Sequence, residues 1–370
     1  MLKPDKIYRS PLFYVGDKYK LYPKICKYFP KTINRFIEPF TGGGSVFLNV
    51  KANEYILNDV DTNVINIHKF LIEQSENPKT FFENVFELIQ KYNLSHSYIK
   101  DVVPQDLKEK WVKTYYAKFN KEGFEKLKAD YNASSEKNIL HLYLLLIYGF
   151  NRMLRFNAKG EYNLPVGNVD FNKNTETALK EYFYLTKYRK IQLFNLDFED
   201  FLKTIQYQKD DFVYLDPPYL ITFSEYNKLW NEKTEKRLLD SLEWLNTQNV
   251  KFAISNVSHY KDKINKQFLE WSKQYNSFEI KSNYISYHDN SRKEFKEVLV
   301  TNFAPEILVP KQSKLNMENY TRQVVENFIL KNKWFYTFLY VSATLNVQKS
   351  KLSQNFLQKP LLNEYKKNLN

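Results

Sequence analysis

Arg35-Phe36-Ile37-Glu38-Pro39-Phe40-Thr41-Gly42-Gly43-Gly44-Ser45 runs from an apolar stretch directly into three glycines. The apolar part predicts a strand. The glycines predict a tight turn where a ligand can approach the backbone closely. Val46-Phe47-Leu48 then reads as an apolar helix start, whose N-terminus would favour a carboxylate or a phosphate. The next strand, Tyr55-Ile56-Leu57-Asn58-Asp59, ends in an acid. It lies about 20 residues on, the spacing at which a carboxylate commonly accepts hydrogen bonds from ribose hydroxyls. Many glycine turns only reverse the chain, but this one, paired with Asp59, points to a nucleoside-containing cofactor. The spacing does not match the phosphate-binding Gly-x-x-x-x-Gly-Lys pattern, which argues against a nucleotide triphosphate.

Outward from this stretch, Phe212-Val213-Tyr214-Leu215 predicts a third strand, followed by Asp216-Pro217-Pro218-Tyr219. Val250 to Ser255, followed by Asn256, predicts another. Val64 to Glu73 and Glu232 to Thr247 read as helices. Strands alternating with helices imply an α/β domain with a mostly parallel sheet. Functional groups in such sheets gather at the carboxyl ends of strands. Those ends carry Glu38 and the glycines, Asp59, Asp216 and Asn256. The interval from about 70 to 190 is rich in Lys, Tyr and Phe and reads as mainly helical, with no strand ending in a carboxylate. An insertion of that size is expected to be a second domain. Pro305 and Pro310 punctuate a third region, in which Tyr320 to Val347 reads as an amphipathic helix without an assigned task.

Bulk properties narrow the partners. The 370 residues carry a formal net charge of +13, which favours a polyanion, with nucleic acid ahead of a membrane surface. A genome biased toward Lys, Asn, Tyr and Phe codons would raise the charge too, so charge alone does not decide. Cys26 is the only cysteine, which excludes a disulfide framework and a cysteine-based zinc site. A reducing, cytoplasmic setting is expected. Met1 to Ser10 lacks the apolar centre of a signal peptide, and Ile139 to Phe150 is too short to span a bilayer. The five histidines are scattered without metal-ligand spacing, so no metal is expected.

Asp216-Pro217-Pro218-Tyr219 carries the chemistry. Two prolines hold a rigid turn, fixing the Asp216 carboxylate and the Pro217 carbonyl as acceptors facing one point. An amino group placed there can donate both hydrogens. The lone pair of an amine on an aromatic ring is delocalised, so the nitrogen attacks poorly. Acceptors for both hydrogens favour a pyramidal nitrogen and stabilise the developing positive charge. Tyr219 offers a flat face for stacking. A target base in a duplex would have to be flipped out.

Taken together, these motifs resemble the DNA adenine methylase family, in the order cofactor motif, recognition region, Asp-Pro-Pro-Tyr. The resemblance runs from about Ser10 to Phe303. It implies a Rossmann-like methyltransferase sheet with an inserted, mainly helical DNA-recognition domain. The implied division is 1–69 and 190–304 for catalysis, 70–189 for target recognition, and 305–370 as an extension. It implies methyl transfer from S-adenosylmethionine to N6 of adenine in double-stranded DNA, at GATC or a site containing GAT. Glu38, Pro39, Phe40, Gly42, Gly44 and Asp59 would hold the cofactor, and Asp216, Pro217, Pro218 and Tyr219 the target adenine, Asp216 lying against the cofactor too. Pro11 to Lys18 resembles the family's Trp-Ala-Gly-Gly-Lys opening, so that Tyr14 and Lys18 would touch the cofactor, Lys18 at its carboxylate. Tyr14 replaces the tryptophan and Asp17 a glycine. Phe13 stands where GATC-specific members often carry a base-reading lysine, which leaves the reading of that base open. Asp197 and Phe198 are placed to contact the cofactor's adenine, although Asp197 also reads as a helix cap.

Tyr148 to Gly167 resembles the family's DNA-reading hairpin. Arg155 would read a guanine, Pro165 would meet a thymine methyl, and Phe150 would fill the gap left by the flipped base. Asn151 is the residue type that pairs with adenine, while Arg152 and Lys159 would reach phosphates. Tyr287 to Lys293 resembles a late basic loop, in which Arg292 would touch the DNA backbone. The sequence leaves the oligomeric state open and is compatible with a monomer. It is silent on a cognate restriction endonuclease. Three alternatives stay open: an RNA adenine methyltransferase, a methyltransferase for the cytosine amine (which usually has Ser before Pro-Pro), and a non-catalytic DNA-binding protein.

Overall fold

The computed structural model describes residues 6–222, 230–281 and 295–306. Among them are eight strands: β1 Arg35–Glu38, β2 Glu54–Asn58, β3 Lys190–Phe194, β4 Phe212–Leu215, β5 Lys251–Tyr260, β6 Lys263–Ile264, β7 Asn276–Ile280 and β8 Phe295–Thr301. They form one sheet in the order β3-β2-β1-β4-β5-β8-β7, with β6 paired to β5. Pairings from β3 through β5 are parallel, whereas β8 and β7 join antiparallel. The expected mostly parallel α/β sheet is therefore present. Its strand order reverses at β1, which lies between β2 and β4, and such a switch point opens a crevice at the strands' carboxyl ends.

Side-chain alternation explains the apolar runs. Phe36, Tyr55, Leu57, Phe212 and Tyr214 enter one core, while Ile37, Ile56, Val213 and Leu215 enter the other. Both faces are covered, so both parities are apolar. The helices are α1 Tyr22–Ile25, α2 Thr62–Gln74, α3 Pro78–Lys91, α4 Gln105–Lys110, α5 Tyr115–Ala133, α6 Ile139–Tyr148, α7 Lys173–Lys187, α8 Phe198–Thr204, α9 Glu232–Thr247 and α10 Lys266–Ser272. Buried residues of α2, α3, α5, α6 and α7 join the first core, and those of α8, α9 and α10 the second. Helix α6 is apolar all round because it is surrounded by protein. Among the described residues, no helix is long and apolar enough to cross a membrane. The interval after residue 70 is helical as expected, and residue 70 itself falls inside α2.

Three sequence expectations change. Val46 to Leu48 forms consecutive turns rather than a helix. Strand β5 continues to Tyr260, so Asn256 lies within a strand and not at its end. Asn256 is fully buried and donates to Glu235 at 2.9 Å, which makes it a core residue. Strands β3, β7 and β8 were not foreseen. β3 is a half-exposed edge strand, and β8, Phe-Lys-Glu-Val-Leu-Val-Thr, begins with charges that hide its apolar pattern. Arg292 and nearly all of 305–370, including Tyr320 to Val347, lie outside the described residues.

Candidate active site

The glycine turn follows β1 directly. Gly42 and Gly44 have φ of 48° and 75°, the left-handed region that favours glycine. A Cβ on Gly44 would lie 2.3 Å from Phe47 and 2.9 Å from His68. A Cβ on Gly43 would lie 2.8 Å from the Cβ of Tyr14, which packs over the turn. The Gly42 amide donates to Asp59 Oδ2 at 2.8 Å, and the Asp61 amide donates to Oδ1 at 2.9 Å. Asp59 is thus aimed by backbone and stands beside the turn, at the end of β2. Burial pushes its carboxyl up to about 6, against the pull of those amides.

His68 supports the turn from beneath. Its Nε2 lies 2.8 Å from the Gly42 carbonyl, and its Nδ1 lies 2.9 Å from the Tyr182 hydroxyl. A neutral ring with the proton on Nε2 satisfies both contacts: it donates to the carbonyl and accepts from the phenol. Burial lowers its pKa to about 4, which keeps it neutral. Asn58 ties neighbouring strand ends together, donating to the carbonyls of Pro39 and Leu196 at 3.0 Å each. The sequence marked neither residue as part of the site.

Glu38 closes β1, is 2% exposed, and has one carboxylate oxygen without a hydrogen-bond partner among the described residues. Burial first, then the nearby charges of Asp216 and Asp59, raise its pKa well above the ordinary carboxyl value. An unpaired buried acceptor beside a glycine turn suits a ligand that brings a donor or a positive charge. Phe40, Phe198 and Trp230 form an aromatic group beside it, with centroids 5.4 to 5.8 Å apart. Asp197 caps α8 by accepting from the Glu199 amide at 3.0 Å, and it also pairs with Arg237 at 2.6 Å.

Asp216 follows β4, the neighbour of β1. Its Oδ1 lies 2.8 Å from Lys18 Nζ and accepts from the Tyr219 hydroxyl at 2.9 Å. Lys18 is 4% exposed, also donates to Tyr219 at 2.6 Å, and lies 3.5 Å from Glu297 Oε1. The expected cofactor-facing lysine is thus bound to the Asp-Pro-Pro-Tyr turn. Glu297, from β8, is 1% exposed and was not identified from the sequence. Burial and the neighbouring Asp216 raise its pKa, and Lys18 opposes them. Burial, then Asp216, raise the Tyr219 phenol well above its ordinary value. Two carboxylates, one ammonium and one phenol form a single network. Losing one partner of a buried pair of this kind typically costs about 3–5 kcal/mol.

The hairpin after α6 is built differently. Leu154, Tyr162 and Leu164 are buried and anchor it. Between them, Phe150 is half exposed, and Asn151, Lys159 and Pro165 are exposed. The Phe150 amide donates to Pro165 at 2.9 Å, and Gly160 turns the tip at φ 76°. Arg155 donates from Nε to Asn163 Oδ1 at 2.8 Å and from an Nη to the Asn163 carbonyl at 3.2 Å. That grip holds one edge of the guanidinium and leaves its far edge for an incoming group. Arg152 stacks on Phe13, its guanidinium 4.0 Å from the ring centroid.

Residues 14–281 match the family model for D12 class N6 adenine-specific DNA methyltransferases. The type II methyltransferase M.FokI of Planomicrobium okeanokoites is 35% identical over 81% of this chain and 44% of its own length. The modification methylase StsI of Streptococcus sanguinis is 33% identical over 80% of this chain and 43% of its own. A DNA adenine methylase of Haemophilus influenzae is 32% identical over 61% of this chain and 69% of its own. The chain thus spans under half the length of the first two relatives.

Proposed function

This chain belongs to the D12 class of N6 adenine-specific DNA methyltransferases, and from that premise we propose that it methylates N6 of adenine in double-stranded DNA, with S-adenosylmethionine as donor. One observation carries the reading: Asp216-Pro217-Pro218-Tyr219 stands at the end of β4, next to the strand that feeds the glycine turn. The residues fit the cofactor through the unpartnered oxygen of Glu38 and the backbone-aimed Asp59. Glu38, Pro39, Phe40, Gly42, Gly44 and Asp59 would hold it, Asp59 at the ribose, with Tyr14 over the turn. Lys18 would stand at its carboxylate side, and Asp197 and Phe198 at its adenine. When bound, S-adenosylmethionine supplies an electrophilic methyl group on a sulfonium.

The Asp216 carboxylate and the Pro217 carbonyl would accept the two hydrogens of the target amine. The Tyr219 hydroxyl and Lys18 hold Asp216 at Oδ1, so Oδ2 would be the oxygen that accepts from the amine, with the Tyr219 ring as the stacking surface. Asp216 need not be a strong base, because the nitrogen becomes acidic once it is alkylated. Alignment of amine and methyl supplies much of the rate.

The region 70–189 serves target recognition in this reading. Arg155 reads a guanine with its free edge, Pro165 meets a thymine methyl, and Phe150 fills the gap left by the flipped base. Asn151, Arg152, Lys159 and Arg292 make the remaining DNA contacts. The site contains GAT, and the relatives named as modification methylases support pairing with a cognate restriction endonuclease. The test is expression in a methylation-free host followed by genome-wide mapping of modified adenines. A single recurrent site containing GAT, lost in Asp216→Ala, is expected. Unmodified genomic adenine, with methyl transfer to RNA instead, would overturn the reading.

A further inference from the structure

Arg9 and Arg152 share one aromatic ring. Their guanidinium carbons lie 4.6 and 4.0 Å from the Phe13 centroid, and Arg9 also lies 5.4 Å from the Tyr19 ring. Phe13 is 6% exposed, so it is a platform and not a surface probe. The backbone around this arrangement is strained. Phe13, Asn151 and Arg152 have φ of 49°, 54° and 50° without being glycine, and each such residue costs on the order of 1–3 kcal/mol.

The charges are not balanced. No ion pair joins Arg9 or Arg152 to a carboxylate among the described residues. Burial brings the Arg152 guanidinium down to about 10, and the like charge of Arg9 acts the same way; Tyr143 and Asp170 oppose it only through space. Asp17 likewise feels Arg9 only through space. Two neighbouring cations, one of them partly buried, form a site that a bound anion completes.

We propose that Arg9, Phe13 and Arg152 form a binding site for one phosphodiester of the DNA backbone, beside the reading hairpin. The proposal rests on duplex DNA being the substrate. Charge selects a phosphate over a base edge: a guanine edge is neutral and leaves both cations unbalanced, whereas a phosphate offsets their repulsion. A cation held over a ring by its charge keeps its forked N–H donors for phosphate oxygens. Arg152 stands three residues before Arg155. A phosphate held there sets the hairpin's position on the duplex and carries no sequence information itself.

The experiment measures affinity of the full chain against salt, on a mixed-sequence duplex and on one carrying the modified site. Losing one phosphate contact lowers the slope of log K against log salt by about 0.9. R9Q/R152Q should show that drop and weaken both duplexes by the same factor, while R152K should keep the slope. Arg9 is exposed, so R9Q alone, with an unchanged melting temperature, shows part of the drop even if R152Q unfolds. An unchanged slope in the folded double variant overturns the proposal. So does a loss confined to the target duplex together with a changed modified sequence, which would make these arginines base readers. The slope on mixed-sequence DNA does not involve methyl transfer, so failure of the catalytic reading would be seen separately.

Discussion

The ends of β1 and β4 and the hairpin at 148–167 contrast in what holds their functional side chains. At the strand ends, backbone amides, His68, Asn58 and the Lys18–Asp216–Glu297–Tyr219 network position the groups proposed to react. Lys18 and Glu297 are buried, Asp59, Asp216 and Tyr219 partly so, and all are aimed before any ligand arrives. On the hairpin, three apolar side chains anchor a loop whose polar residues, apart from the half-buried Arg152 over Phe13, reach outward. The difference fits the two tasks proposed for them. Catalysis needs charges fixed where charge develops, in a site that excludes water. Reading a duplex needs side chains that extend into a groove, each held by a few local contacts.

Breaking the buried region should give the largest effects. Asp216→Ala removes the central acceptor of the network and should lower methyl transfer by about 10²–10³-fold, measured with labelled donor, while DNA affinity stays near that of the wild type. A variant that kept wild-type rates would remove Asp216 from the chemistry.

His68 gives a pH-dependent effect of the next size. Its pKa is about 4 in the folded chain against an ordinary 6.5. The unfolded chain therefore takes up a proton first as the pH falls. Its contribution is complete above about pH 6.5 and is lost toward pH 4, by roughly 3 kcal/mol. Glu38 and Asp59 have raised values and shift stability the opposite way on acidification, in wild type and variant alike. Urea unfolding at pH 7 and pH 5 should show that His68→Gln loses less stability than the wild type over that interval. Equal losses would show that His68 does not stay neutral.

On the hairpin the losses should fall on selectivity. Arg155→Ala should cost about 1–3 kcal/mol of discrimination at one base pair, read as the ratio of kcat/KM on duplexes differing there. Uniform weakening on every duplex would make Arg155 a phosphate contact. Asn163→Ala should have the smallest effect. It removes one of the two acceptors that grip Arg155, worth about 1 kcal/mol, or about fivefold in the same ratio. If Asn163→Ala matched Arg155→Ala, the buttress would matter as much as the reader.

The strand ends proposed for catalysis were legible in the sequence because their conformations are local. Three glycines after an apolar run specify a turn, and two prolines after another fix a pair of acceptors, whatever lies across the sheet. The hairpin was legible too, through its resemblance to the family's reading hairpin and the arginine, aromatic and amide residues that alternate within one short, turn-rich stretch. The helix expected at Val46 was not found, because an apolar run of that length fits turns packed against a core as well as a helix.

By itself the sequence determined the strand–turn units of β1, β2 and β4, their order along the chain and the chemical types they carry, because period and turn chemistry act over a few neighbours. Only the tertiary structure decided their partners. Lys18 meets Tyr219 across 201 residues, and Glu297 meets it across 78. His68 reaches the glycine turn from α2, and Phe13 gathers Arg9 and Arg152. Such contacts depend on which strands neighbour one another and which faces are buried, and no local pattern encodes that.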